Sequence, residues 1–497
     1  MKEIKGPGSP RPFFHAGTDE VMIMFDIDRE HPEFIRQKHM WRQYRDLYAG
    51  GQQMKDNAAE YLSHRQKEPS DVYRERLARV FYENYIGSII DWYAATLFRR
   101  EPMLLLDGES DLGRKFFANF FDNCDMKGTS ISDFFRQCLI ETLVGGSSHI
   151  LVDFPRIDRT PVNRAEEEEC GASRAYLIRY GSEELINWSN DEHGEYEWVV
   201  LRRTQRRQPS IDRTEVVDET YWYYFDKQEY RVYRREGQTG EADIQLISKG
   251  LHGLCKQQRV PLFTMRVSDG LWLMNKAALV QLEHFNKANA LSWAITMGLF
   301  AMPVVYSERS WNQIVGESYY IQLGPQDRFG WTEPEGRVYQ IAADNLARLK
   351  DEIYRVCYLT QAASEMSTGQ QQSALSKLRD FAITQEVLRS YGDAVKHVLK
   401  KVLNAVNDAR EDGVHITVSG LDEFDIGDFA TELSDAQMLL GLGMSSPTLK
   451  KQIFQKLAFK YLCDIRQDIK EQISTEIDEQ MSSENPARAD VQAKDAA

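Results

Sequence analysis

One stretch of the chain has the layout of a phosphate-binding loop. In "MLLLDGESDLGRKFFANFF", Gly108-x4-Gly113 follows a strand-like run and precedes a helical one. That chemistry needs a lysine after the second glycine to reach the phosphates, and then a hydroxyl to hold Mg²⁺. Arg114 and Lys115 stand at those positions, so a strand-turn-helix connection is expected instead. "GGSSH" (Gly145 to His149) has the small residues of a serine nucleophile turn, but such an elbow runs from strand to helix. Here the order is helix, turn, strand, which makes His149 an ordinary strand residue. The ten histidines show no H-E-x-x-H or other ligand spacing, so no metal, no cofactor and no enzymatic activity is expected.

Nucleic-acid chemistry has a second candidate. Between Val199 and Arg235 nine basic residues (Arg202, Arg203, Arg206, Arg207, Arg213, Lys227, Arg231, Arg234, Arg235) alternate with aromatics, a composition that suits a single-strand-binding sheet. The same stretch holds six acids (Asp212, Glu215, Asp218, Glu219, Asp226, Glu229), which favour a salt-bridged outer face, or a subunit contact, over a nucleic-acid platform. The run Glu166 to Glu169 reads as a solvated loop.

A third feature is polar and uncharged. Ser367-Thr368-Gly369-Gln370-Gln371-Gln372-Ser373 separates two long helical stretches, and no Lys or Arg occurs between Arg355 and Lys377. Gly and the flanking hydroxyls disfavour a continuous helix. Amides and hydroxyls can touch a polyanion through contacts of only ~0.5–1.5 kcal/mol each, often through water. Lysines would instead release counterions and hold the phosphates in place.

The surrounding chain bounds what these features can serve. At roughly 150 residues per domain, 497 residues make about three units, and 42% hydrophobic with 11% aromatic residues supply real cores. The formal charge of −15 argues against a free-standing polyanion binder, and six of the carboxylates fall between Leu421 and Leu449 with no Lys or Arg among them. Six scattered cysteines without C-x-x-C spacing read as reduced core thiols of a cytosolic product. The N-terminus has no apolar signal core. "ALSWAITMGLFAMPVVY" is too short for a bilayer span and contains Pro303, so it reads as a buried helix end, with no membrane role.

Periodicity gives an α+β organisation. A helix from Pro32 carries Phe34, Trp41, Tyr44 and Tyr48 and stops at Gly50-Gly51; a second runs from Ser70 to "FRREP". Strand "MLLLD", two shorter helices and strand "SHILVDF" follow, then antiparallel strands from Tyr176 to Glu236. Long helices cover Leu271 to Phe300, Ala342 to Ala363 and Ala374 to Asp412, with a β-rich excursion between the first two. Leu346, Leu349, Ile353 and Val356 form one narrow apolar seam, and Leu388, Tyr391, Val395, Val398 and Val402 another. Such seams suit helices packed in a ring or in a plain intramolecular bundle.

From about Glu33 to about Glu479 the chain resembles the portal, or head-to-tail connector, proteins of tailed bacteriophages. The resemblance is carried by "VFYENYIGSIIDWYAATLFRREP" (Val80 to Pro102), "TLVGGSSHILVDFP" (Thr142 to Pro155), "AYLIRYGSEELINW" (Ala175 to Trp188), "FAMPVVYS" (Phe300 to Ser307) and "YYIQLGPQDRFGWTEPEG" (Tyr319 to Gly336), by their order and by their spacing to the long helices. It implies a homo-oligomeric ring, usually a dodecamer, at one capsid vertex of the virion, assembled in the host cytoplasm. Double-stranded DNA would be packaged and ejected through it. Implied partners are the packaging motor (terminase), a tail adaptor, and capsid and scaffolding proteins.

On that resemblance the chain divides into a flexible arm (1–20), an α+β wing (21–264), a stem helix (265–301), a clip (302–341) and a second stem helix (342–364). A tunnel loop (365–373), a long helix with a wing strand (374–420), a crown (421–480) and a disordered tail (481–497) complete it. Ser367 to Ser373 would line the DNA channel, and Trp311, Phe329 and Trp331 would anchor partners on the clip. The rivals are a nucleotide-driven packaging-motor subunit, resting on Gly108, and a nucleic-acid-binding module built on the Arg-rich sheet.

Overall fold

The computed structural model describes residues 27–107, 110–156, 173–208, 216–237, 244–298, 302–306, 328–332, 336–359, 374–421 and 446–461, with a few single positions besides. In chain order the elements begin with helices α1 (Pro32–Ala49), α2 (Gly51–Asp56), α3 (Ala58–Tyr61), α4 (Ser70–Ala78) and α5 (Tyr85–Leu97). Strand β1 (Met103–Asp107), helices α6 (Asp111–Asp122) and α7 (Ile131–Gly145), and strands β2 (Ser147–Asp153) and β3 (Tyr176–Gly181) come next. A run of strands follows: β4 (Leu185–Asn190), β5 (Tyr196–Arg207), β6 (Val217–Asp226), β7 (Glu229–Glu236), β8 (Gln245–Leu251) and β9 (Leu262–Arg266). Helix α8 (Leu273–Gly298), strands β10 (Met302–Tyr306) and β11 (Arg328–Thr332), helices α9 (Gly336–Val356) and α10 (Ala374–Arg410), strand β12 (His415–Ser419) and helix α11 (Pro447–Tyr461) complete the set. The protein is α+β, a mixture of helix and largely antiparallel sheet.

Helix α1 starts where the sequence requires. Pro32 fills the first turn, and His31 caps it, its Nδ1 accepting from the Glu33 N–H. Phe34, Trp41, Tyr44 and Leu47 face inward. The expected second helix is two helices. Between α4 and α5 the chain leaves helical geometry because amides on α8 capture its backbone: Asn289 Oδ1 accepts from the Phe81 N–H, its Nδ2 donates to the Phe81 carbonyl, and Gln281 Nε2 donates to the Glu83 carbonyl. Asn84 then caps α5 by accepting from the Gly87 N–H.

Two sheets form the body. The order β3-β2-β9 makes a three-stranded antiparallel sheet in which all of β2 is buried, and β4-β5-β6-β7-β8 is a five-stranded meander. The β1–β12 pair ties the start of α6 to the end of α10, with Met103 opposite Ser419 and Asp107 opposite His415. The main core contains Phe34, Ile90, Phe135, Leu143, Phe285, Tyr391 and Val402; a smaller one, with Val199, Leu201 and Phe225, lies on one face of the meander.

The narrow-seam reading of α10 is corrected. Beside Leu388, Tyr391, Val395, Val398 and Val402, the helix also buries Val387, Leu399, Leu403, Ala405 and Val406, a broad face inside the same chain. α10 packs on β9, α5, α7 and β12, so it is a core helix. Gly392 is needed there: a Cβ would stand 2.2 Å from the Leu421 carbonyl oxygen. α9 differs, with Ile353 fully buried and Leu346, Leu349 and Val356 only half-buried.

Candidate assembly and channel surfaces

The two loci that invited chemistry are built as structure. At the phosphate-loop candidate, Gly108 lies outside the described residues, while Gly113 opens α6. Its N–H is already taken by Ser110 Oγ at 3.1 Å, and a Cβ on it would meet Val414 and Asp412 at 2.8 and 3.0 Å. This glycine serves close packing of α6 on the 412–414 segment. His149 sits in the middle of β2, fully buried, with Nδ1 2.9 Å from Thr264 Oγ1, which also bonds Tyr196 Oη at 2.8 Å. Burial drives its pKa down to about 3, so it is neutral. Cys124, Cys138 and Cys357 are buried free thiols, and burial pushes the last up to about 12. Cys170 and Cys463 lie outside the described residues. Among the described residues no group of His, Cys, Asp and Glu could hold a metal ion, and no helix is long and apolar enough to cross a membrane.

On the meander, carboxylates answer the basic residues. Arg202 bridges Asp28 and Glu30 at 3.0 and 2.8 Å, Arg203 pairs with Glu184 at 2.6 Å, and Arg234 with Glu236 at 2.6 Å. Arg206, Arg207, Lys227 and Arg231 have acidic partners within 3.2–3.8 Å. Arg235 lies over the Trp222 ring at 4.9 Å. Arg213 is outside the described residues. Of the two open readings, the salt-bridged face is the one this geometry favours, because paired guanidinium groups leave little charge for a phosphate backbone.

The second surface is a helical hairpin. α8 and α9 run antiparallel, tied by Tyr339 Oη donating to the Ala294 carbonyl and Lys287 Nζ donating to Asn345 Oδ1. They are joined through β10 and β11, an antiparallel ribbon whose strands pair only with each other among the described residues. In its register Phe329 is opposite Val305 and Trp331 opposite Pro303. The side chains of Phe329 and Trp331, and Trp311 altogether, lie outside the described residues. The apolar stretch from Ala290 to Tyr306 is the last part of α8 and β10, and among its described residues Ile295 and Tyr306 are exposed, not buried.

The third surface is the connection from α9 to α10. Ser367, Thr368, Gly369, Gln370, Gln371, Gln372 and Ser373 lie outside the described residues; the described chain that leads toward them ends at a held point. After α9, Tyr358 adopts a left-handed conformation (φ 63°). Its carbonyl accepts from Thr384 Oγ1 of α10 at 2.6 Å, and its hydroxyl accepts from Lys276 Nζ at 2.6 Å while donating to the Gly270 carbonyl. Tyr93 Oη donates to the Cys357 carbonyl at 2.7 Å from α5. Sequence reading missed this clamp of Tyr93, Lys276, Tyr358 and Thr384, since polar residues meeting from four separate elements leave no periodic signal.

No protein-family model matches the chain, and no curated protein matches it. Among solved structures it is similar to the neck of an empty gene transfer agent particle, at 12% identity and TM-score 0.44, covering 74% of this chain and 90% of that one. It is also similar to the virion of a native gene transfer agent particle, at 12% identity and TM-score 0.42, covering 80% and 96%.

Proposed function

We propose that the protein is a portal-type subunit: copies close into a ring, twelve in the usual arrangement, that forms a conduit for double-stranded DNA at one capsid vertex. The observation that carries the reading is the order of parts. An α+β body leads into a long helix, a small β ribbon, a returning antiparallel helix, a polar connection and a core helix, the succession of wing, stem, clip, stem, tunnel loop and wing that the sequence resemblance implies.

Two further observations support it. The hairpin leaves Leu279, Ile295, Val338 and Ile341 exposed, apolar surface of the kind an assembly contact covers. The clamp around Tyr358 anchors the polar connection to three other elements, so the segment that follows starts from a rigid point. On this reading Ser367 to Ser373 contact sliding DNA without anchoring it, and Trp311, Phe329 and Trp331 serve packaging motor and tail adaptor. No hydrolysis by the subunit itself is proposed. Electron microscopy of purified protein tests the reading: closed rings with a central channel wide enough for a duplex are expected, and a uniform field of monomers refutes it.

A further inference from the structure

The α8–α9 hairpin has two unlike flanks. On one, Leu291 and Ile295 of α8 and Ala343, Leu346 and Ala347 of α9 line a groove of about 470 Å³, closed at its body end by Phe81, Glu83 and Tyr85. His284 lies in its floor with a side chain 3% exposed; Nε2 is 3.5 Å from Glu83 Oε2, and Nδ1 has no partner. Burial holds this histidine neutral against the pull of Glu83, with Lys350 adding to the effect, so when Nε2 carries the proton Nδ1 is a bare acceptor. Glu83 beside it keeps a half-exposed carboxylate on the groove wall.

On the other flank stands a ridge. At 100° per residue, Ile341 and Arg348 share one side of α9, while Ala343, Ala347 and Lys350 share the opposite side. Ile341 is 60% exposed and Val338 beside it 65% exposed. The heights agree as well. Tyr339 is level with Ala294 and Asn345 with Lys287, which puts Ile341 at the level of Leu291 and Ile295, and Arg348 at the level of His284 and Glu83. Each pair of levels is separated by seven residues, about 10.5 Å of helix.

We infer that copies of this chain join head to tail through the hairpin, Ile341 and Val338 of one copy entering the groove of the next while Arg348 reaches the half-exposed Glu83 carboxylate. Copies related by rotation about an axis along the hairpin meet at equal heights, and an interface between two unlike flanks propagates into a closed ring. The apolar ridge fills an apolar groove, and a guanidinium meets a carboxylate. This rests on the ring reading above and assigns the surface that closes it.

The test uses full-length protein and native mass spectrometry. Ala347→Trp blocks the groove and leaves the ridge; Ile341→Asp spoils the ridge and leaves the groove. Each alone should be monomeric with the wild-type circular dichroism spectrum. Mixed in equal amounts they should give one-to-one dimers and no rings, because only one of the two possible contacts is intact. Arg348→Glu should weaken assembly at least tenfold, and adding Glu83→Arg should recover it. Rings of wild-type size from Ala347→Trp would overturn the groove assignment while leaving the ring reading standing. A mixture that stays monomeric would overturn the two-flank geometry. Monomeric wild-type protein would overturn both readings together.

Discussion

Helices α9 and α10 carry the same three-four-three apolar spacing, yet they have opposite fates. α10 widens that stripe with Val387, Leu399, Leu403 and Val406 and disappears into the body, where Tyr391 donates to the Leu271 carbonyl at 2.6 Å. α9 keeps a single fully buried seam residue, Ile353, and leaves Val338 and Ile341 in solvent. Spacing alone therefore separates helix from strand but not core from exposed surface. The difference lies in what flanks the stripe: apolar neighbours on both sides in α10, and alanines and charges in α9.

Substitution at the stripe should injure the two helices very differently. Tyr391→Ala should remove about 3–5 kcal/mol of stability, the usual result of emptying a large buried aromatic site, read by chemical denaturation. Ile341→Asp, compared in the monomeric Ala347→Trp background so that loss of assembly does not enter, should leave the denaturation midpoint unchanged, since surface substitutions usually change stability by under about 0.5 kcal/mol. Equal destabilisation by both would mean that α9 is a core helix too.

A somewhat smaller effect is expected at the end of the hairpin. Replacing Phe329 and Trp331 with alanine should reduce binding to packaging motor or tail adaptor by at least tenfold, consistent with aromatic anchors, while rings still form. Loss of ring assembly in that double variant would mean that the two aromatics hold the ribbon together instead.

Acid should separate body from hairpin. His149 has a folded pKa of about 3 against an ordinary value of 6.5, so below about pH 6.5 the unfolded chain binds a proton that the folded chain refuses. The stability it contributes is whole above pH 6.5 and is lost as pH falls toward 3, at up to about 1.4 kcal/mol per pH unit. His149→Asn should flatten that acid limb in denaturation curves taken from pH 7 to 4. An unchanged slope would show that carboxylates such as Glu30, held below the usual range by Lys38 and Arg202 despite partial burial, govern the acid limb alone.

The smallest equilibrium effect is expected on the meander. Arg206→Ala, which breaks an exposed pair with Asp218, should change stability by less than about 0.5 kcal/mol. The polar connection between α9 and α10 should matter only to motion: lysines at Gln370 and Gln371 should spare assembly but slow DNA passage, most at low salt, because they add phosphate contacts. Wild-type packaging rates at low salt would exclude a sliding contact there.

Much of the fold was legible in the sequence because its signals are local. Pro32 and Gly50 bracket α1, alternation marks β5 to β7, and the long helices announce themselves by period. What was hidden depends on partners distant in sequence. The break between α4 and α5 is made by Gln281 and Asn289, some two hundred residues away, and the α9 helix begins at Gly336, six residues before its expected start at Ala342. Of the surfaces, the paired sheet charges could be anticipated from interleaved acids. The Tyr358 clamp and the orphaned Nδ1 of His284 could not, since each exists only once separate elements are packed together.

The central claim, that this chain builds a ring, is tested most directly by native mass spectrometry of the purified full-length protein at low micromolar concentration. A closed oligomer of about twelve 57.5 kDa subunits is the predicted result. A single species at 57.5 kDa would contradict it.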